Sequence, residues 1–268
     1  MELVTSRLAQ EDALLVTVDE TRGSVPREAG AWMLVFAQDV INTIGGGHLE
    51  FDAIAQARRR LAGEAGDAVQ QFALGPSLGQ CCGGVVRLRF ERVGRADAAA
   101  LAQRLAPQRA PVGLFGGGHV GKALVDVLAP LPFEVTWIDS RDEIFPERLP
   151  PNVHGEHSDP VHAAVADLAP GSRVLIMSFS HAEDLDIVAA CLKRQREHGD
   201  LPYIGLIGSK TKWATFRHRL EERGFSAEEL AHVTCPIGLP GITGKEPQVI
   251  AVSVAAQLLQ SLPAPGKP

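Results

Sequence analysis

Cys81 and Cys82 stand side by side in the run Gln80-Cys81-Cys82-Gly83-Gly84, two thiols next to two glycines and just ahead of an apolar stretch. Adjacent cysteines in a glycine-rich turn can offer thiolates to a soft metal or take up sulfur as a persulfide. They do not fit a zinc site, which needs four ligands at spaced positions. The plainer alternative is a pair of small buried residues at the start of a strand. Cys191, on a helical stretch among Ala and Leu, and Cys235, before Pro236, read as core. Four cysteines, two of them adjacent, do not form a secreted disulfide framework, so reduced thiols and a cytoplasmic setting are expected.

Two glycine-rich turns add a different chemistry. Gly116, Gly118 and Gly121 match G-x-G-x-x-G between an apolar strand-like run and a helical stretch opened by His119. Glycine there permits a tight turn and lets backbone N–H groups approach a phosphate at the helix N-terminus. Asp139 ends the next strand-like run about 20 residues on, where such folds place an acceptor for a ribose hydroxyl. The same glycines also serve helix–strand packing alone, so the motif predicts a Rossmann-like fold more firmly than it predicts a bound nucleotide. Gly45-Gly46-Gly47 is the second turn, again entering a helix and suited to an anionic group. Ser24 and Arg27 lie in a loop stiffened by Pro26 and supply candidate polar and cationic contacts, although a loop arginine is usually just solvated.

Further candidates sit at expected strand ends. Ser178 to Asp184 follow one strand, and Ser209 with Lys210 and Lys212 follow another, at the edge where open α/β sheets bind ligands. Residue by residue, helix capping and solvated lysines account for them; their shared placement sets an anion site, with Ser209 as a ligand, level with that reading.

These residues need a frame. Leu14–Val18, Ala31–Phe36, Val40–Ile44, Val69–Leu74 and Gly84–Phe90 read as strands and His48–Leu61 as a helix, giving a small α+β domain over 1–93. A helical Ala/Arg/Gln-rich stretch ending in a proline turn reads as a linker over 94–110. From 111 to 235, strands at Val112–Phe115, Glu134–Ile138, Arg173–Met177 and Tyr203–Ile207 alternate with helices at His119–Leu128, Glu183–His198 and Thr211–Arg223. That alternation predicts an α/β fold with a Rossmann-like parallel sheet. A terminal segment over 236–268 carries a last helix near Glu246–Leu259, with nothing to say which domain it joins.

The bulk numbers narrow the partners. The chain has 268 residues, 45% hydrophobic and 22% charged, and a net charge of −6, so neither global disorder nor a nucleic-acid or anionic-membrane surface is expected. No leader or membrane span is visible at the start or in the longest apolar run. A homodimer is the default expectation for a protein of this size.

Taken in order, several segments resemble the xanthine dehydrogenase accessory protein (XdhC) family. They are Gly23-Ser24-Val25-Pro26-Arg27 through Met33, Thr43 to Glu50, Gln80 to Gly84, Phe115 to Gly121, Tyr203 to Lys210, Cys235 to Leu239, and Gly244 to Val252. The glycine fingerprint alone is weak; the ordered set covers most of the chain. The resemblance implies an accessory protein, not an enzyme. It would bind the molybdenum cofactor (molybdopterin), hold it while a cysteine desulfurase supplies sulfur, and deliver it to apo-xanthine dehydrogenase in purine catabolism. It also implies metal and thiol roles for Cys81 or Cys82 and cofactor contacts from Ser24, Arg27, Gly45, Gly46 and Gly47, with Gly116, Gly118, His119, Gly121, Asp139 and Ser209 holding the pterin or a nucleotide.

Two alternatives follow from the residues themselves. One is an NAD(P)-dependent oxidoreductase on the Rossmann half, although the one tyrosine, Tyr203, lies in an apolar run and none of the nine histidines is marked as a base. The other is a sulfur carrier that bears a persulfide on the cysteine pair and binds no pterin.

Overall fold

The computed structural model describes residues 1–74 and 83–263. They fall into two units, 1–106 and 107–268.

In the first unit, strand alternation sorts side chains onto two faces. Strands β1 (Ala13–Arg22), β2 (Trp32–Val35), β3 (Val40–Asn42), β4 (Val69–Ala73) and β5 (Val85–Val93) form an antiparallel sheet in the order β3-β2-β1-β5-β4. Leu14, Val16 and Val18 of β1, with Met33, Leu88 and Phe90, pack against Leu49, Ala53 and Ala57 of helix α2 (Gly47–Leu61). The spacing of those three, four residues apart, puts them on one stripe of the helix. The intervening residues, Ala13 and Leu15, face Val4 and Leu8 of helix α1 (Glu2–Leu8) and Leu101 of α3 (Ala98–Arg104).

Two sequence expectations change here. Strand β3 ends at Asn42, which adopts φ 67° and breaks the extended run expected to reach Ile44. The stretch 94–110 is also more than a linker: α3 packs on α1 and buries Leu101, and the boundary between units falls after Ala106.

The second unit holds β6 (Ala110–Phe115), α4 (His119–Leu128), β7 (Phe133–Asp139), β8 (Val153–His157), β9 (Arg173–Ile176), α5 (His181–His198), β10 (Tyr203–Leu206), α6 (Lys210–Glu222), α7 (Ala227–Leu230), β11 (Val233–Thr234) and α8 (Pro247–Gln260). Its six strands are parallel, in the order β11-β10-β9-β6-β7-β8. The chain builds outward from β6 through β7 to β8, then returns to β9 and builds the other way. That reversal between β6 and β9 is the switch point of a Rossmann sheet, and it opens a crevice beyond the strands' carboxyl ends. One face of the sheet packs Phe115, Ile138, Ile176 and Leu206 against α5 and α6. The other packs Leu114, Val135, Trp137 and Leu175 against α4 and α8. Helix α8 therefore belongs to this unit, with Ala251, Val254 and Leu258 buried in the core it shares with α4. Among the described residues, no helix is long and apolar enough to cross a membrane.

Candidate functional site

Three stretches far apart in sequence converge in the first unit. A Cβ on Gly45, which has φ 122°, would run into the Pro26 ring and lie 3.1 Å from Arg27 Cγ, so the Pro26-Arg27 loop rests directly on the glycine turn. On its other side the same loop meets Gly84, where a Cβ would lie 2.5 Å from the Ser24 carbonyl oxygen and 2.6 Å from that of Arg22. Glycine is required at Gly45 by the positive φ and the Pro26 ring, and at Gly84 by close backbone approach. Ser24 and Arg27 are themselves exposed, as are Gly47 and His48. The loop 26–32 borders a shallow cleft that Trp32 and Asn42 complete. Cys81 and Cys82 lie outside the described residues.

The glycine turn is partly self-satisfied. One carboxylate oxygen of Glu50 accepts from the Thr43 hydroxyl, the Ile44 amide at 3.0 Å and the Gly46 amide at 3.2 Å, and the Gly45 amide donates to Thr43 Oγ1 at 3.0 Å. An anion at this turn would therefore meet Arg27 and the amides that open α2, not the donors of Gly45 and Gly46. This is a shift from the sequence expectation, and its cause is a carboxylate supplied by the helix that the turn opens.

In the second unit, the fingerprint glycines separate by role. Gly116 has φ 122°, and a Cβ there would strike the Met177 carbonyl. At Gly121 it would strike the Gly116 carbonyl, the atom that accepts a 3.0 Å hydrogen bond from Trp137 Nε1. Gly117 is closed off by Ile144, whose Cγ1 would lie 2.5 Å from a Cβ built there. Gly118 alone of the four faces open space, with no atom within 4 Å of a built Cβ. It caps α4 without a side-chain hydrogen bond, and His119 beside it is exposed. Gly116 and Gly121 thus serve packing, and Gly118 leaves the helix N-terminus accessible.

Asp139 turns inward. Its Oδ2 accepts from the Gly117 amide at 2.6 Å and Arg141 Nη2 at 2.9 Å; its Oδ1 accepts from the Arg141 amide at 2.9 Å and Nε at 2.8 Å. A carboxylate offers about four acceptor positions, and all are filled. The ribose-accepting role expected for Asp139 has no free lone pair. Burial pushes this carboxyl up, but the hydrogen bonds from Arg141 and Gly117 outweigh it and hold the group below the usual carboxylate range.

Across the carboxyl end of β6, the loops after β7 and β9 meet. Ser140 Oγ donates to Glu183 Oε1 at 2.8 Å, and the Phe179 amide donates to Glu183 Oε2 at 3.1 Å. The Arg141 guanidinium lies 4.6 Å from the centre of the Phe179 ring. Ser178 is held by Asp184, which accepts from both its amide and its hydroxyl at 2.8 Å. Phe179 and Glu183 fall within the Ser178–Asp184 stretch expected at the ligand edge; Arg141 is an addition, and its one sequence signal is its position two residues past the strand-ending acid.

Of the other anion candidates, Lys210 is exposed, and Ser209 and Lys212 are engaged elsewhere. Ser209 Oγ caps α6 by accepting the Lys212 amide at 3.1 Å. Lys212 Nζ turns inward to Asp184 at 2.6 Å and the Ile207 carbonyl at 2.9 Å. Ser180 caps α5. Burial pushes the Cys235 thiol up to about 11 against the lowering effect of Lys212, and the Cys191 thiol up to about 12. Tyr203 donates to Gln257 at 2.6 Å, and its burial raises the hydroxyl well above the ordinary value. Among the described residues no group of three or more His, Cys, Asp or Glu is placed to hold a metal ion. An open trough of about 860 Å³ runs between residues 162–170 and α5 from Asp186 to His198.

Comparison with known proteins finds relatives of both units. Residues 95–258 match the family described as the XdhC Rossmann domain, and residues 6–73 match the XdhC and CoxI family. The uncharacterized protein YqeB of Escherichia coli (strain K12) is 29% identical over 262 residues, 92% of this chain. The chain spans 43% of that relative's length. A crystal structure of a protein from Bacillus halodurans, described as a xanthine dehydrogenase, superposes with a TM-score of 0.76 at 20% identity, covering 97% of this chain and 94% of the other. At that identity the match speaks for the fold.

Proposed function

The chain belongs to the XdhC family, and from that membership we propose that it is an accessory protein in the maturation of a xanthine-dehydrogenase-type enzyme. In this reading it catalyses no dehydrogenation itself. It binds the molybdenum cofactor, holds it while a cysteine desulfurase supplies sulfur, and passes it to the apoenzyme.

The observation that carries the reading is the convergence on the Ser24–Arg27 loop of the Gly45–Gly47 turn and of Gly84. The cysteine pair directly precedes Gly83 in the sequence. Exposed Arg27 and the amides that open α2 suit a phosphate-bearing anion, and thiolates suit a soft metal. When bound, the group supplies the soft metal centre and the phosphate; the chain's part is to hold the phosphate and offer a thiol. In the second unit the accessible N-terminus at Gly118 and His119 fits a phosphate contact of its own.

The oxidoreductase alternative is less well supported. Asp139 has no lone pair left for a ribose, and Tyr203 is half-buried against Gln257 with its hydroxyl proton held. For a persulfide carrier without pterin, the distinguishing result is sulfur on the cysteine pair in protein that never holds pterin.

The test is purification from cells that make the cofactor, with assays for pterin and molybdenum beside the Cys81→Ala/Cys82→Ala and Arg27→Ala proteins. Near one of each per chain, lowered in both variants, is the expected result. Undetectable pterin with tight NAD(H) binding would overturn the reading.

A further inference from the structure

Phe179 is an apolar side chain kept in water by a stiff loop. It leaves 68% of its surface exposed, although the residues on either side are tied down. Ser178 is fixed by Asp184, the Phe179 amide by Glu183, and Ser180 by capping α5. A mobile loop would turn such a ring inward and remove its area from water. Here one face of the ring lies against the Arg141 guanidinium at 4.6 Å, and Arg141 is itself clamped by Asp139 through two side-chain nitrogens. The ring is thus pre-set in position, backed by a cation, and open on its other side.

Its place in the fold says what it can serve. The backbone that leads into it, Met177 and Ser178, packs directly against Gly116, and the Asp139 that clamps Arg141 also holds the Gly117 amide. The platform therefore stands at the switch-point crevice, next to the turn in which Gly118 is the open position. Aromatic side chains with cationic backing hold flat heterocycles by stacking, independently of hydrogen-bond readout.

We propose that the open face of Phe179, backed by Arg141, is a stacking subsite for a planar heteroaromatic ring whose phosphate sits at the Gly118–His119 turn. This rests on the reading of that turn as a phosphate contact. The shared ligand chemistry is a phosphorylated heterocycle, and two sources supply it: a nucleotide or a phosphorylated pterin.

The test is calorimetric titration of the full chain with AMP, with neopterin monophosphate, and with ribose 5-phosphate, which has the phosphate and no ring. It is run on the wild type and on Phe179→Ala, Phe179→Trp and Gly118→Val. The expected result is that AMP or the pterin binds more tightly than ribose 5-phosphate, loses about tenfold or more in Phe179→Ala, and keeps its affinity in Phe179→Trp. Ribose 5-phosphate should not distinguish Phe179→Ala from the wild type. Whichever ring compound shows this loss identifies the source. Equal binding to the wild type and Phe179→Ala, with loss in Gly118→Val, overturns the stacking subsite and leaves the phosphate contact standing. Binding that survives Gly118→Val overturns the phosphate contact on which it rests, and no binding of either ring compound overturns both.

Discussion

The Asp139 carboxylate accepts the Gly117 amide at 2.6 Å and is gripped from its other side by Arg141 at 2.8 and 2.9 Å, so one buried acid ties the glycine turn to the loop after β7. Asp139 is 2% exposed, whereas the Arg141 side chain keeps 31% of its surface in water. Asp139→Asn replaces an acceptor with a donor that faces other donors. Breaking a fully buried pair costs about 3–5 kcal/mol; with Arg141 partly in solvent, a loss of about 2 kcal/mol is expected in urea unfolding.

The same acid makes stability pH-dependent. Its folded-state pKa lies below the unfolded value, so the unfolded chain binds the proton first as pH falls. Its contribution is present in full above the ordinary carboxylate range and is lost as pH drops through the folded value. Glu229, brought to about 2 chiefly by its hydrogen bond from Arg196, acts with the same sign. Unfolding free energies between pH 7 and pH 3 should fall less steeply in Asp139→Asn than in the wild type. Identical slopes would mean that the acid is not held below its ordinary value.

Gly121 and Gly118 share a motif but not a role. Gly121→Ala drives a methyl into the Gly116 carbonyl, a backbone atom that Trp137 also holds, and should lose at least about 3 kcal/mol. Gly118→Ala meets no atom and already has φ −69°, so its Tm should stay within a degree or two of wild type. Thermal unfolding by circular dichroism checks the pair; equal losses would contradict the division of roles.

Much of the second unit was legible because its signals are strong and local. The glycine fingerprint lies between an apolar run and a helix, and an acid follows at the right distance. Those features marked β6, α4, β7 and the fold class. Strand β8 was missed because it is an edge strand, Val-His-Gly-Glu-His, with Val153 as its one buried residue. Strand β11 has two residues, and α1 buries only Val4 and Leu8. The site was legible as motifs but not as bonding. The sequence shows Asp139 and Gly117 but not that they satisfy each other, because a contact 22 residues apart is set by the sheet. Nor does it show that Phe179 stays in water, since a lone aromatic just past an apolar strand ordinarily reads as core.

Native-state alkylation should leave two of the four thiols untouched. Cys191 is buried with its thiol pushed up to about 12, and Cys235 is half-buried at about 11, so neither carries appreciable thiolate at pH 7.5. Iodoacetamide followed by peptide mass spectrometry should modify Cys191 and Cys235 only after denaturation. After incubation with a cysteine desulfurase, any persulfide is expected on the peptide that carries Cys81 and Cys82. Sulfur recovered on Cys235 would move the thiol chemistry to the second unit.

Glu50 holds the first unit's turn through a single carboxylate oxygen. Glu50→Ala strips the acceptor from the Ile44 amide, which belongs to a residue 1% exposed, and from Gly46 and Thr43. An unsatisfied buried donor costs about 1–3 kcal/mol. Glu50→Gln keeps an oxygen acceptor and should lose about half as much. If the turn presents Arg27 and the start of α2 to an anionic cofactor, pterin content should follow the same order: wild type, then Gln, then Ala. A stability loss without loss of pterin would confine Glu50 to a structural part.

The filled acceptor positions of Asp139 also bear on what the second unit distinguishes. A dinucleotide enzyme that uses a free carboxylate on the ribose diol loses affinity when a hydroxyl is removed, because a buried acceptor is left unpaired. Here every lone pair of Asp139 is occupied by Gly117 and Arg141 before any ligand arrives. AMP and 2′-deoxy-AMP should therefore bind with affinities within about twofold of each other, a difference near the thermal energy. Calorimetry with the two nucleotides decides it. A tenfold or larger preference for the ribonucleotide would mean that Arg141 releases Asp139 on binding, and would return the oxidoreductase reading to first place.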